Sequence, residues 1–194
     1  MTAPSFVDAS VLLYTQDRRD PLKHSRAEAW LDSLWRSSRG RTSIQALSEF
    51  YVTSTRKFGV AHQTTWAEVA RYFAWDPQPV DEALLRATRE VESRYKLSWW
   101  DSMIVAAAQL QQCAVLLTDD LEDGAVFGAV TVRSPFTLDV REAGAEYSVQ
   151  RLGAPLHCRR GTTLEKINKV RCRTDGRMVG RCLSSAASPS FSSR

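Results

Sequence analysis

Four regions of this chain place an acid inside or at the end of an apolar run, where a carboxylate is costly to bury unless something compensates it. Asp8 closes Ser5-Phe6-Val7, and Glu49 lies within SIQALSEFYV, Ser43 to Val52. Asp101 is the single charge in LSWWDSMIVAAA, Leu97 to Ala108, and Asp119 and Asp120 end VLLTDD. Carboxylates drawn to one point repel, and a divalent cation removes that cost. Hard cations such as Mg2+ take oxygen ligands and keep several waters beside one or two carboxylates. Metal bound this way lowers the pKa of an attacking water and shields the charge of a phosphodiester; where two ions bind, they sit roughly 4 Å apart.

Each acid also has a purely local reading. Asp8 equally well caps the helix after it. Asp101 is the fourth residue of Ser98-Trp99-Trp100-Asp101, a capping box with Asp in the usual Glu place. Asp119 and Asp120 suit a solvated turn. Glu49 falls almost opposite the Leu47, Phe50 and Tyr51 stripe, on the face of Gln45, Val52 and Arg56, which fits solvent or a polar cleft. What raises all of them together is joint placement, since independent caps have no reason to fall at every corner of one site.

The elements that must position these acids read as short strands alternating with helices. Residues 5 to 8 form a strand ending on an acid, with a helix from about Ser10. Leu22 to Trp35 has Leu22, Ala29, Trp30, Leu34 and Trp35 on a packed side. Arg41 and Thr42 make a minimal strand before a helix from Ser43 to Phe58, and Gly59 ends it. A helix over Thr64 to Trp75 stops at Asp76-Pro77-Gln78-Pro79, and Val80 closes a short strand. Asp81 caps a helix from Glu82 to about Tyr95, and Ser98 caps a helix to about Gln112 that is apolar nearly all round, Trp99 and Trp100 included, and therefore expected to be buried. Val115 to Thr118 and Val130 to Val132 are further strands, separated by the Gly124 and Gly128 loops. This pattern predicts an α/β domain with a short-stranded, mostly parallel central sheet flanked by helices. In open sheets of this kind ligands gather beyond the carboxyl ends of the strands, where Asp8, Asp119 and Asp120 fall.

The chain has 194 residues and a net charge of +4, but that charge is unevenly spread. Residues 1–140 carry 15 Lys+Arg against 18 Asp+Glu and residues 141–194 carry 11 against 4, so the basicity belongs to the tail. An acidic core does not advertise nucleic-acid binding, and local cations must supply it; Arg18, Arg19, Lys23, Arg56 and Lys57 are the candidates. The two segments are read as a folded α/β domain, 1–140, and a basic extension of little fixed structure, 141–194, with a transient helix at Thr162 to Val170. Cys113, Cys158, Cys172 and Cys182 follow no zinc-type spacing, and Cys113 reads as a core residue. No run reaches membrane-spanning length and the N-terminus lacks signal-peptide character, so the expected compartment is the cytoplasm.

The blocks FVDASVLLY, TSIQALSEFYVTSTRK, LSWWDSMIVAAAQLQQC and VLLTDDLEDG resemble the PIN-domain ribonucleases, and more closely the VapC-type toxins of bacterial toxin-antitoxin pairs. The likeness covers about residues 4 to 136, with the acids in family order. It implies a PIN-like three-layer sandwich and Mg2+ or Mn2+ held mainly by Asp8 and Asp101, with Glu49 and Asp120 completing the catalytic cluster. Asp120 is chosen over Asp119 because the family pattern there is Thr, any residue, Asp; Asp119 stays open, as do Mg2+ against Mn2+ and one ion against two. The implied reaction is hydrolysis of an RNA phosphodiester by a metal-activated water, with Ser10 and Thr118 orienting a carboxylate or a water. The resemblance further implies a cognate antitoxin protein covering the cleft, and a homodimer. Members of this type usually stop near the Ser134-Pro135-Phe136 equivalent, so the tail has no recognised counterpart; it either strengthens RNA binding through its positive charge or is an extension without a selected role, the second being preferred.

Two other readings compete. A haloacid-dehalogenase-like phosphatase also places an acid after its first strand, and Asp119, Asp120 and Asp123 superficially fit, but its nucleophilic Asp needs a second Asp two positions on, where this chain has Ser10. A catalytically inactive module that only binds RNA or a protein is the other; the presence of all four acids argues against it.

Overall fold

The first strand is three residues long because the sequence gives it only three: Ser5–Val7 (β1) runs into Asp8, whose carboxylate accepts the Ala9 N–H at 2.6 Å and so opens the helix Ala9–Tyr14 (α1). The computed structural model describes residues 3–137; the expected extension at 141–194, its helix at Thr162 to Val170, and Cys158, Cys172 and Cys182 lie outside the described residues. Asp20 caps the next helix, Pro21–Ser37 (α2), which has proline in its first turn and ends at Ser38 in the left-handed region, φ 53°. A two-residue strand follows, Gly40–Arg41 (β2), then the helix Ile44–Arg56 (α3) capped by Ser43. His62–Tyr72 (α4) ends in a single tight turn over Phe73–Trp75. Glu82–Tyr95 (α5) is capped by Asp81 and Trp99–Leu110 (α6) by Ser98. Three more strands complete the order: Val115–Leu117 (β3), Val126–Phe127 (β4) and Val130–Arg133 (β5).

The sheet order is β2-β1-β3-β5-β4, parallel throughout except that β4 pairs antiparallel with β5 at one edge. Alternation along the strands splits the core in two. Phe6 and Leu116 face α5 and α6, where Leu84, Val91 and the buried residues Met103 to Ala108 pack on them. Val7 and Leu117 face the other way, onto Val11, Leu12, Trp30, Leu34, Leu47 and Phe50 of the helices α1 to α3. The result is the three-layer sandwich with a mostly parallel sheet expected from the sequence. Each fully buried Leu, Val or Phe contributes about 1.5–3 kcal/mol, and two such clusters on opposite faces hold the short strands in register. Cys113 is buried in the first cluster, and burial pushes its thiol up to about 12, as befits a core residue. Among the described residues no helix is long and apolar enough to cross a membrane.

Besides β4, which the sequence pattern places within the glycine loops, the structure departs from the sequence reading at three points. Val80 is exposed and in no strand; only Gln78 makes a bridge, to Ser43, because Pro77 and Pro79 on either side have no N–H to extend a ladder. On α2, Leu22 is 63% exposed and Ala29 also faces water, whereas the buried stripe is Ala27, Trp30, Leu31 and Leu34. On α6, Trp100 is exposed even though the helix around it is buried.

Gly40 is a close-approach glycine. A Cβ there would stand 2.4 Å from the Trp75 ring, which itself packs against Trp35 and Tyr72. Gly40→Ala is expected to destabilise the protein by about 1–3 kcal/mol or more, as overpacking against an immobile aromatic cluster does. Chemical denaturation gives the value directly, and an unchanged midpoint would show that Trp75 yields.

The domain's last described residues are fastened to α2. Trp30 Nε1 donates to the Pro135 carbonyl at 3.2 Å and the Arg26 guanidinium to that of Phe136. Lys23 Nζ lies over the Tyr14 and Phe136 rings, 4.7 and 4.8 Å from their centroids, while Tyr14 meets Phe136 edge-on.

Candidate active site

β1 and β3 are neighbours, yet the chain leaves β1 toward β2 on one side and leaves β3 toward β5 on the other. That reversal makes the crevice beyond the carboxyl ends of β1 and β3, the place where an open sheet binds ligands. Asp8 follows β1 directly and Thr118, Asp119 and Asp120 follow β3. α3 and the first turn of α6 close the crevice, so that Asp8, Glu49, Asp101 and Asp120 line one cavity of about 450 Å³ with Gln45, Trp100, Ile104, Thr118 and Leu121. All four acids singled out in the sequence thus share one pocket, although they come from four separate elements. A larger groove, about 650 Å³, lies among residues such as Glu90, Arg94, Gln112 and Thr131. It runs past the amino ends of the strands and contains none of these acids.

The deepest acid is Asp8, 6% exposed. Besides capping α1, its other oxygen accepts from Thr118 Oγ1 at 2.7 Å and from Ser10 Oγ at 3.1 Å. Thr118 Oγ1 in turn accepts the Asp120 N–H at 3.2 Å, so one hydroxyl ties the first acid to the loop that carries the fourth. Burial raises the Asp8 carboxyl above its ordinary value, opposed by the Thr118 and Ala9 bonds and reinforced by the charge of Asp120. Asp101 forms half of the expected capping box: its N–H donates to Ser98 Oγ at 3.2 Å, while its Oδ2 accepts the Ser98 hydroxyl at 2.7 Å rather than the Ser98 backbone N–H. The local and the shared readings therefore hold together: Asp8 caps α1, Asp101 braces the Ser98 cap of α6, and both line the pocket.

Glu49 and Asp120 are exposed at the pocket mouth. Both carboxyls are pushed up, first by partial desolvation against the pocket wall and then by charge: Asp8 and Asp120 act on Glu49, and Asp119 and Asp101 on Asp120. Asp119 is engaged elsewhere. Its carboxylate takes Lys23 Nζ at 2.7 Å, Tyr14 OH at 3.3 Å and Ser134 Oγ at 3.2 Å, and it does not line the cavity. Lys23 is thereby held beside Asp119 and its own charge is stabilised, first by that bond. Of the other candidate cations, Arg19 pairs with Asp17 at 2.5 Å, while Arg18, Arg56 and Lys57 are exposed.

Among the described residues no three Asp, Glu, His or Cys side chains close on a point as a finished metal cage. The donor set nonetheless fits a hydrated hard cation: the polar wall offers carboxylate and hydroxyl oxygens, with neither His nor Cys, and the mutual repulsion of its acids is what a cation relieves. Such an ion holds waters of its own and needs direct contact with only one or two carboxylates.

Gln45 escaped the sequence reading as a site residue. It stands one helical turn before Glu49 on α3, and its Oε1 is buried without a hydrogen-bond partner among the described residues. The i to i+4 spacing from Glu49 was the available signal.

Solved structures with this fold include a chain of a toxin-antitoxin complex from Klebsiella pneumoniae, 19% identical, with TM-score 0.51, covering 68% of this chain and 97% of that one. VapC20 of Mycobacterium tuberculosis, named a sarcin-ricin loop cleaving toxin, also matches, at 21% identity and TM-score 0.45, covering 58% of this chain and 86% of that one. DNA-bound VapBC from Salmonella typhimurium matches at 15% identity and TM-score 0.49, over 69% of this chain and 98% of that one. No curated protein sequence matches the chain. The PIN domain family matches residues 5–122, a span that takes in all four acids and both strands that present them at the crevice. The chain belongs to the PIN-domain family, whose members are generally nucleases that use divalent metal ions.

Proposed function

We propose that the protein is the toxic component of a toxin-antitoxin system, a VapC-type endoribonuclease that hydrolyses RNA phosphodiester bonds, with residues 1–140 as its nuclease domain. The observation that carries this reading is the convergence of Asp8, Glu49, Asp101 and Asp120, from four elements, on one crevice at the switch point of the sheet. Asp8 and Asp101 would hold Mg2+ or Mn2+, and Glu49 and Asp120 complete the acidic cluster. The bound ion supplies a water of lowered pKa and shields the phosphate's negative charge. Thr118 and Ser10 donate to one oxygen of Asp8 and the Ala9 N–H to the other, which fixes the carboxylate's orientation. Asp101, braced by Ser98, presents its carboxylate from a rigid helix start. Glu49 and Asp120, with raised carboxyl pKa values, are placed to accept or return a proton at the pocket mouth. The RNA 2′-hydroxyl has no part in this chemistry.

The toxin assignment rests on the quoted motif blocks and is in keeping with a fold shared with the Klebsiella toxin-antitoxin complex. It brings with it a cognate antitoxin, a homodimer and a cytoplasmic site of action. A haloacid-dehalogenase-like phosphatase is disfavoured: Ser10 stands where its second acid belongs and spends its hydroxyl on Asp8.

Incubation of the purified protein with total RNA tests the reading. Discrete fragments are expected with Mg2+ or Mn2+, none with EDTA, and no 2′,3′-cyclic phosphate at the new ends. Uncut RNA under both metals would end the nuclease proposal. Growth arrest on expression, relieved by a neighbouring gene's product, distinguishes a toxin from a housekeeping nuclease.

A further inference from the structure

Trp100 is the residue whose placement the preceding chemistry leaves unexplained. It adjoins Asp101 in the first turn of α6, lines the acidic pocket, and is 64% exposed. The chain's other clustered aromatics are engaged: Trp35, Tyr72 and Trp75 pack on one another, Trp66 meets Tyr51 and Phe73, and Trp30 bonds Pro135. Trp100 has no ring contact and no hydrogen bond among the described residues. Ile104, one turn further along α6, and Leu121, which follows Asp120, extend its apolar surface. The pocket lining therefore combines two chemistries, four carboxylates and an indole with two aliphatic side chains.

A single-stranded nucleotide presents the matching pair: a phosphate for the acids and the cation they would hold, and a planar base for the indole. Unstacked bases bind aromatic side chains in this way, at a worth of about 1–3 kcal/mol each. Resting on the ribonuclease reading above, we propose that Trp100 is a substrate-binding residue that stacks on the unpaired base next to the scissile phosphate. A duplex holds its bases inside the stack, so this device selects single-stranded segments and loops.

The test begins with the cleavage site that the wild-type protein makes in total RNA, mapped by sequencing its fragments. A single-stranded oligoribonucleotide spanning that site is then made with each flanking base deleted in turn to an abasic position. For the intact oligonucleotide, Trp100→Ala is expected to raise KM roughly 5- to 150-fold with kcat little changed, and Trp100→Phe to restore most of the loss. One abasic position should cost the wild type a similar factor and cost Trp100→Ala almost nothing further, because the stacked partner is already gone. An unchanged KM, a fall in kcat alone, or penalties that multiply at every abasic position would overturn the stacking role while leaving the nuclease intact. Total RNA left uncut by the wild type would remove the ribonuclease reading and this inference with it. Near-ultraviolet circular dichroism of both variants checks that α6 keeps its packing.

Discussion

Asp101→Asn is expected to abolish metal-dependent RNA cleavage while the protein stays folded. The substitution is isosteric, and the helix start does not need the charge: Ser98 Oγ still accepts the backbone N–H of residue 101, and an amide oxygen still accepts from Ser98. What disappears is an anionic oxygen held at a fixed point of the pocket. Loss of a partner one layer removed from a metal typically costs 10- to 100-fold in affinity or activity, so loss of a direct ligand is expected to cost at least about a hundredfold. Initial rates on a mapped oligoribonucleotide with Mg2+ give the factor, calorimetric titration with Mn2+ follows the metal, and thermal melting verifies the fold. Unchanged cleavage would exclude Asp101 as a ligand.

Asp8→Asn should show the opposite signs in activity and stability. Cleavage falls as for Asp101, but the metal-free protein becomes more stable at neutral pH. The folded-state carboxyl of Asp8 is raised above its unfolded value by burial, so the folded form is favoured below the unfolded pKa and loses that advantage as pH rises through the raised one. At neutral pH the ionised group is therefore a burden on the metal-free fold, and a neutral amide removes it. Asn can still accept the Ala9 N–H, while its NH2 meets the Thr118 and Ser10 hydroxyls as acceptors. A gain of roughly 1–3 kcal/mol is expected, or about 2–4 °C in Tm per kcal/mol. Melting curves of the EDTA-treated wild type across mildly acidic to neutral pH should slope downward and flatten in the variant, and added Mg2+ should stabilise only the wild type. A variant less stable than the wild type at neutral pH would show that the Thr118 and Ser10 bonds outweigh desolvation.

Elements whose signals are local were plain in the sequence. α5 runs between the Asp81 cap and a left-handed Lys96, and its periodicity places both ends. The joint pocket was legible because each acid interrupts an apolar run, and an apolar run must end at the sheet or inside a helix. Features that depend on partners were not. β4 has two residues between turns at Gly124 and Gly128, too short for any alternation, and exists only because β5 offers an edge. The pattern of α6 marks Trp100 as core, since nothing in a helical wheel says that its outer face opens on a cleft. Glu49 shows the converse: its polar face suited water or a pocket equally until α6 and β3 supplied the other walls. The family pattern prefers Asp120 and leaves Asp119 open; what it does not show is that Lys23, from α2, holds Asp119 away from the cavity.

The seam between Phe136 and α2, together with the pairing of β1 with β3, sets a schedule for biosynthesis. More than a hundred residues separate Asp8 from Thr118, and at about 5–20 residues per second that interval takes on the order of 5–20 s on the ribosome. During that time the nascent polypeptide holds Asp8 with the Ser10 hydroxyl but without that of Thr118. The four carboxylates become neighbours only after Asp120 has been synthesised, and the Tyr14, Lys23 and Phe136 stack forms later still.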